Sequence, residues 1–149
     1  MTRTLNVVTV GVPAPKGSMR HVGNGRMIES SRHVKPWRES IRAAALAEMG
    51  DDWTPLDGPV VVDLTFLMPR PKGHYGTGRN TQRLRPSAPT SHTTKPDLDK
   101  LIRAVLDALT SAGVWRDDSQ VWGLAAVKEY ADGLTPRLVA QITEVEVAP

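Results

Sequence analysis

Asp97-Leu-Asp99 comes just before a segment with an apolar helical stripe, and Asp117-Asp118 comes just after it. Carboxylate oxygens are hard donors. Where three or four of them converge they hold Mg²⁺ through a few protein ligands, with water and a substrate phosphate filling the shell. A metal so held polarises phosphorus, generates hydroxide from bound water and stabilises the leaving oxygen, so phosphodiester hydrolysis then needs no nucleophilic side chain. The chain has no Cys and no evident Ser/His/Asp arrangement, which fits that chemistry. For the two clusters to meet, the chain must run the length of the helix and return along the following strand. The plainer reading stays open: an Asp at a helix start is an ordinary N-cap and dipole partner, and Asp-Asp-Ser before a strand is an ordinary turn. Arg103, four residues after Asp99, is either an i,i+4 ion-pair partner or a group that binds the scissile phosphate. Asp107, on the same face, reads as a surface or polar-core residue.

Other candidates carry less. Gly11-Val-Pro-Ala-Pro-Lys-Gly-Ser resembles a phosphate loop only superficially, since its lysine precedes the second glycine and its prolines lack the amides that would cradle phosphate. His21, His33, His74 and His92 lack metal-site spacing. Trp37 and Trp122 read as core residues rather than base-stacking platforms.

The elements that must position the aspartates follow from periodicity and turn chemistry. Leu5 to Val12 is β-branched enough for a first strand, stopped by the following prolines and glycines. A basic loop runs to about His33. Pro36 suits a helix's first turn, and Trp37, Ile41, Ala44, Ala45 and Met49 recur at helical spacing up to Gly50. Pro59 to Met68 is the clearest strand. Residues from about 69 to 95 hold repeated Pro and Gly among Arg, Ser and Thr, the composition of a basic mobile loop. A second helix starts near Asp97, with Leu98, Leu101, Ile102, Val105, Leu106 and Leu109 on one stripe, and ends at Ser111-Ala-Gly113. Val121 to Tyr130 and Arg137 to Val147 form two last strands, expected as an antiparallel hairpin. The whole is one α+β domain over 1–149, order β-α-β-loop-α-β-β, a mixed sheet with two helices packed on it.

With 149 residues and 40% hydrophobic content the chain supports one core. Its longest uncharged apolar run, around Leu64 to Met68, is far short of a membrane span, and the N-terminus lacks a signal-peptide pattern, so a cytoplasmic protein is expected. The net charge of +3 is a weak pointer to nucleic acid, but its distribution says more. Arg70, Lys72, Arg79, Arg83, Arg85 and Lys95 stand in a stretch with no acid. Arg20, Arg26, Arg32, Lys35 and Arg38 cluster around Glu29 nearer the N-terminus.

Lys95 to Val121, ungapped, resembles the signature block of RusA-like Holliday-junction endonucleases, and Gly11-Val-Pro-Ala-Pro-Lys-Gly-Ser-Met-Arg20 is similar to the opening of the phage-type members. The resemblance implies a homodimer that binds four-way DNA junctions and nicks paired strands symmetrically with Mg²⁺, or Mn²⁺ in its place, in recombination and repair. It implies no organic cofactor and no membrane, and a nucleoid-associated protein of phage or prophage origin. Asp97, Asp99 and Asp118 match the family's catalytic, metal-holding carboxylates, and Asp117 its less critical neighbour. Lys16, Arg20, Arg26, Arg70, Lys72, Arg79, Arg83, Arg85, Lys95 and Lys100 are the expected DNA contacts. Two positions depart: Arg103 stands where the family has its catalytic lysine, keeping charge but unable to donate a proton, and Lys100 stands where Asn is usual. Those departures motivate an alternative, a junction-binding protein that does not cut; a broader branched-DNA or flap nuclease is a third.

Overall fold

The computed structural model describes residues 2–17, 19–21, 23, 27–29 and 32–146. The strand over Thr4–Val10 (β1) is followed by Met19–His21 (β2) and Met27–Glu29 (β3), then the helix Val34–Met49 (α1), Val60–Met68 (β4), the helix Leu98–Ala112 (α2), Val121–Tyr130 (β5) and Arg137–Glu144 (β6). The expected order of large elements holds. Within the basic N-terminal loop the short β2–β3 ladder is an element that periodicity did not reveal, since three-residue strands carry too few alternations. Arg20 lies in β2, with only its backbone described, and Arg26 lies outside the described residues.

Four strands form one sheet in the order β1-β6-β4-β5. β6 pairs antiparallel with both β1 and β4, and β5 runs parallel to β4. The expected β5–β6 hairpin is therefore wrong. The chain leaves β5, passes over the end of β4 through Ala131 to Pro136, and enters the sheet on β4's other side. That connection crosses two strand spacings, about 9.6 Å, a span six residues cover easily. Ala131 N–H donating to the Met68 carbonyl at 2.8 Å ties the crossing to the end of β4.

One face of the sheet is apolar and covered. Leu5 and Val7 of β1, Val62, Leu64 and Phe66 of β4, and Leu138, Ala140 and Ile142 of β6 alternate inward and are buried. α1 meets this core through Val34, Trp37, Ile41 and Ala45. α2 meets it through Leu101, Ala104, Val105, Ala108, Leu109 and Ala112. The two helices pack against each other, and α2 forms the crossover that a parallel β4–β5 pair requires. Trp37 is buried as expected, under Gly11 at φ +144°, where a Cβ would come 3.2 Å from the indole. Trp122, also expected in the core, is 75% exposed: it stands near the start of the edge strand β5, beside the register irregularity at Val60 and Val61, where no described element covers it.

The segment between β4 and α2 carries two 3₁₀ turns, Lys72–His74 and Gly78–Asn80, and a bridge between Tyr75 and Leu84. Gly76 is required there, since a Cβ would stand 2.7 Å from Asn80 Cβ. Arg70 anchors the segment: its Nε and Nη2 donate to Asp132 at 2.7 and 2.9 Å, and its Nη1 donates to the Pro89 carbonyl at 2.7 Å. The guanidinium lies over the Tyr130 ring at 3.9 Å, and its side chain is only 4% exposed. The structure thus gives Arg70 a holding role instead of the DNA contact expected of it, its donors being spent on the protein.

His92 is buried against Tyr130, with its Nδ1 lacking a partner among the described residues. Burial first, and the Lys128 charge second, hold its imidazole below the ordinary histidine value of 6.5. The unfolded chain takes up a proton that the folded chain resists. This contribution is therefore fully present above pH 6.5 and is lost as pH falls through 6.5 toward the lower folded value. Thermal melts are expected to show His92→Phe flattening the fall in stability between about pH 7.5 and 5; equal pH slopes for both proteins would refute this.

Candidate metal centre and nucleic-acid interface

Pro96 lacks an N–H and biases the residue before it away from helix, so α2 begins directly after Asp97. Asp97 is the N-cap residue, with extended backbone at φ −67°, ψ 139°, and its carbonyl accepts from Leu101 N–H at 3.2 Å. Its carboxylate makes no capping hydrogen bond. The ordinary reading of an N-terminal Asp as a cap therefore does not account for this side chain. Asp99 lies in the first turn, and both side chains are exposed. The helix N-terminus favours their negative charge.

Lys128, a residue that sequence reasoning missed, fixes this end of α2. Its ammonium donates to the Thr94 and Pro96 carbonyls at 2.8 and 2.9 Å. An inward lysine on an otherwise apolar strand face was the available signal. Beside Asp97 opens a groove of about 1060 Å³, with Lys16, Lys95 and Lys100 among its walls and Asp97 as its acid. Trp37 and the prolines of the β1–β2 connector form its apolar side. Lys100 is half-buried and its carbonyl accepts from Lys16 N–H at 3.0 Å, which closes that wall.

At the far end of α2, Gly113 takes φ +82°, a left-handed conformation that ends the helix with its N–H donating to the Thr110 carbonyl. Trp115 is buried and donates to Thr110 Oγ1 at 2.8 Å. Asp117 then caps a 3₁₀ turn, Asp118–Gln120, accepting from Ser119 Oγ at 3.0 Å, while Gln120 Oε1 accepts from Asp117 N–H at 3.0 Å. Gln120 Nε2 clamps this turn to the Leu56 and Gly58 carbonyls at 2.7 and 2.9 Å. Gln120 too was unforeseen; a capping-box pattern from Asp117 to Gln120 was the legible sign.

Asp117 and Asp118 are neighbours whose carboxyls are shifted in opposite directions. The Ser119 donors hold Asp117 below the usual carboxylate value, whereas the bond to Asp117, burial and the charges of Asp117 and Asp107 push Asp118 up. Asp107 bridges two cations, with Lys16 Nζ at 3.1 Å and Arg38 at 3.7 Å. The ammonium of Lys16, expected at DNA, is thus paired with a helix carboxylate. Arg103 is exposed, between Asp99 and Asp107 along the helix.

The two carboxylate clusters do not come together in one chain. α2 has 15 residues, about 22 Å of rise. Asp97 is held beside Lys128, seven residues along β5 from Val121, about 23 Å. Asp118 lies just ahead of Val121. Among the described residues no group of three His, Asp or Glu is placed to share a metal ion. Asp97 and Asp99 do fit Mg²⁺ or Mn²⁺ on donor chemistry, because such ions take one or two protein carboxylates and complete the shell with water and phosphate.

Lys72, Arg79, Arg83, Arg85 and Lys95 are exposed on the segment before α2. Arg85 also braces that segment, donating to the Tyr75 carbonyl at 2.8 Å. Among the described residues no helix is long and apolar enough to cross a membrane.

The uncharacterized protein YqaN of Bacillus subtilis (strain 168) is 32% identical over 137 residues, covering 88% of this chain and 87% of its own length. The family model for endodeoxyribonuclease RusA matches residues 10–143, from the end of β1 through β6 and across both aspartate clusters. By that match, over an α+β fold with the expected order of elements, the chain belongs to the RusA endodeoxyribonuclease family.

Proposed function

We propose that this chain is a divalent-metal-dependent endodeoxyribonuclease that resolves four-way DNA junctions by paired nicks, acting as a homodimer. The observation that carries this reading is the exposed, uncapped Asp97 carboxylate beside Asp99, at the mouth of a lysine-walled groove. Family membership supports a nuclease of the junction-resolving type.

Asp97 and Asp99 would hold Mg²⁺ or Mn²⁺; since Asp118 lies a helix length away in the same chain, it would serve as a further ligand only from the other protomer of the homodimer, and Asp117 shapes the turn that presents it. The bound ion would supply an activated water and positive charge at the scissile phosphate. Arg103 projects from the same helix and binds phosphate oxygens, stabilising the charge that builds as the bond to the leaving oxygen breaks. An arginine is not a practical proton donor, so the leaving oxygen takes its proton from water. Lys95 and Lys100 position the backbone entering the groove, and Lys72, Arg79, Arg83 and Arg85 extend the contact along a neighbouring arm. Arg20 and Arg26 add charge from the N-terminal loop. Such phosphate contacts give affinity without sequence preference and make it steeply salt-dependent. Two symmetric nicks require two sites related by a two-fold axis.

The test is cleavage of a labelled synthetic four-way junction beside linear duplex and flap substrates, in Mg²⁺, Mn²⁺ or EDTA. Paired nicks confined to the junction and abolished by EDTA are expected. Tight junction binding without nicks in any metal would refute the enzyme and leave a recognition protein, the outcome that Arg103 and Lys100 make worth testing. Equal rates on flaps would refute junction selectivity.

A further inference from the structure

The groove beside Asp97 is lined for something other than a phosphate backbone. We infer that it takes one nucleobase drawn out of the stack, on the strand whose phosphate lies at Asp97, with Trp37 and His92 meeting the edge of that base. This rests on the proposed action on DNA and names the part of the substrate that the groove holds.

Three observations carry it. First, the walls are largely apolar. Pro13, Pro15 and Pro69 have no N–H to offer an anion and Met68 lies among them, so a phosphate inside the groove would lose its water without gaining donors. A base has flat apolar faces that suit such walls. The volume of about 1060 Å³ is at the upper end of the range for small-molecule sites, room enough for one nucleotide unit.

Second, two of the side chains that line the groove carry a buried polar atom with no partner among the described residues. Trp37 is 5% exposed with its Nε1 unpaired, and His92 is 9% exposed with its Nδ1 unpaired. Buried polar groups are ordinarily satisfied, and two orphans on one cavity point to a partner that arrives with an occupant. An indole carries one donor and a neutral imidazole one donor and one acceptor, which complements the donors and acceptors along a base edge. Neither atom touches water in the free chain, so the occupant spreads the groove as it reaches them.

Third, the charge fits a nucleotide. Lys16, Lys95 and Lys100 stand in the walls against the single acid Asp97. Lys16 is held by Asp107, which leaves Lys95 and Lys100, flanking Asp97 in the chain, for the phosphates that adjoin the base. An apolar peptide could use the prolines but would leave these ammonium groups unanswered. Such a site makes cutting depend on the shape of the DNA. In a continuous duplex the base must leave its pair and two stacking neighbours, whereas at a strand exchange one neighbour is already lost and extraction costs less.

The test is a binding cycle on the full chain in EDTA, where nothing is cut. The probe is a labelled four-way junction carrying one abasic site, moved in turn through the nucleotides that flank the exchange point. The proteins are wild type, Trp37→Phe and His92→Phe, each checked for folding by circular dichroism. The cost of drawing the base out is common to all three proteins and cancels in the comparison. At one position the abasic site is expected to cost wild type about 5-fold more affinity than it costs either variant, the loss of one hydrogen bond to the base. A merely structural role for Trp37 would weaken intact and abasic junctions alike. Equal abasic effects in all three proteins at every position therefore overturn the base site, and His92→Phe carries the comparison if Trp37→Phe does not fold. Coupling in EDTA without nicks in any metal would refute the nuclease and leave the base site in place. Junction-confined nicking without coupling would do the reverse, and no junction binding at all would overturn both.

Discussion

Asp97→Asn is expected to lower junction nicking by at least about 10²-fold while leaving junction affinity within a few-fold of wild type. The carboxylate is exposed and makes no capping hydrogen bond, so its replacement leaves no buried group unsatisfied. The expected cost to the fold is the lost interaction of one charge with the helix N-terminus, about 0.3–1 kcal/mol. Asn also keeps the side-chain shape at the entry to α2. A rate loss of that size with an almost unchanged melting temperature would separate a metal-holding role from a structural one. Asp117→Asn is the matched control. Asp117 spends its oxygens on Ser119 within the turn, and Asn caps nearly as well as Asp, so activity should stay within a few-fold of wild type. Equal losses for the two variants would contradict the assignment of Asp97 as ligand and Asp117 as scaffold. Nicking by Asp97→Asn at the wild-type rate would remove the first cluster from the chemistry altogether.

The second large effect is expected far from any substrate contact. Trp115→Ala should destabilise the protein by about 3–5 kcal/mol, the range for removing a fully buried large aromatic side chain. Trp115 is 1% exposed, is bridged to Leu56, and donates to Thr110 Oγ1. Its indole fills the space between the end of α2 and the turn before β4, so the cavity would open directly beneath the Asp117–Asp118 turn. Trp115→Phe keeps most of the volume and loses the hydrogen bond, an expected cost nearer 1–3 kcal/mol. Urea unfolding of both variants, monitored by circular dichroism, would give the ordering. If Trp115→Ala and Trp115→Phe cost the same, the hydrogen bond rather than packing holds this corner. At temperatures where Trp115→Ala remains folded, nicking should still fall, because the turn presenting Asp118 loses its support.

Much of the candidate site was legible because its signals are local. Pro96 followed by a stripe of leucines places a helix start at Asp97, and Gly113 after the stripe places its end. What the residues could not show was whether Asp97 acts as a cap. That depends on a side-chain torsion, and in the structure the carboxylate leaves the helix amides alone while Asp117 at the other end takes the capping role. Arg70 illustrates the same limit. In a run of arginines it is indistinguishable by type from Arg79 or Arg83, and it is set apart by Asp132 and Tyr130, more than fifty positions later, folding over it. Lys16 likewise read as one more cation until Asp107 was seen beside it.

The residue pattern alone determined which of the long segments are strand and which helix, since alternation and 3.6-residue spacing follow from backbone geometry; the three-residue strands β2 and β3 were too short to show either. It also placed one acidic cluster at each end of α2 and carried the resemblance to the RusA family. Strand partnership was decided only in three dimensions. Backbone ladders are chemically alike whichever strand supplies them, so Arg137 to Glu144 could have paired with β5 as readily as its turn suggested. It inserts instead between β1 and β4, where Leu138, Ala140 and Ile142 complete the covered face of the sheet. That choice puts β5 at the edge and holds Asp97 and Asp118 a helix length apart in one chain.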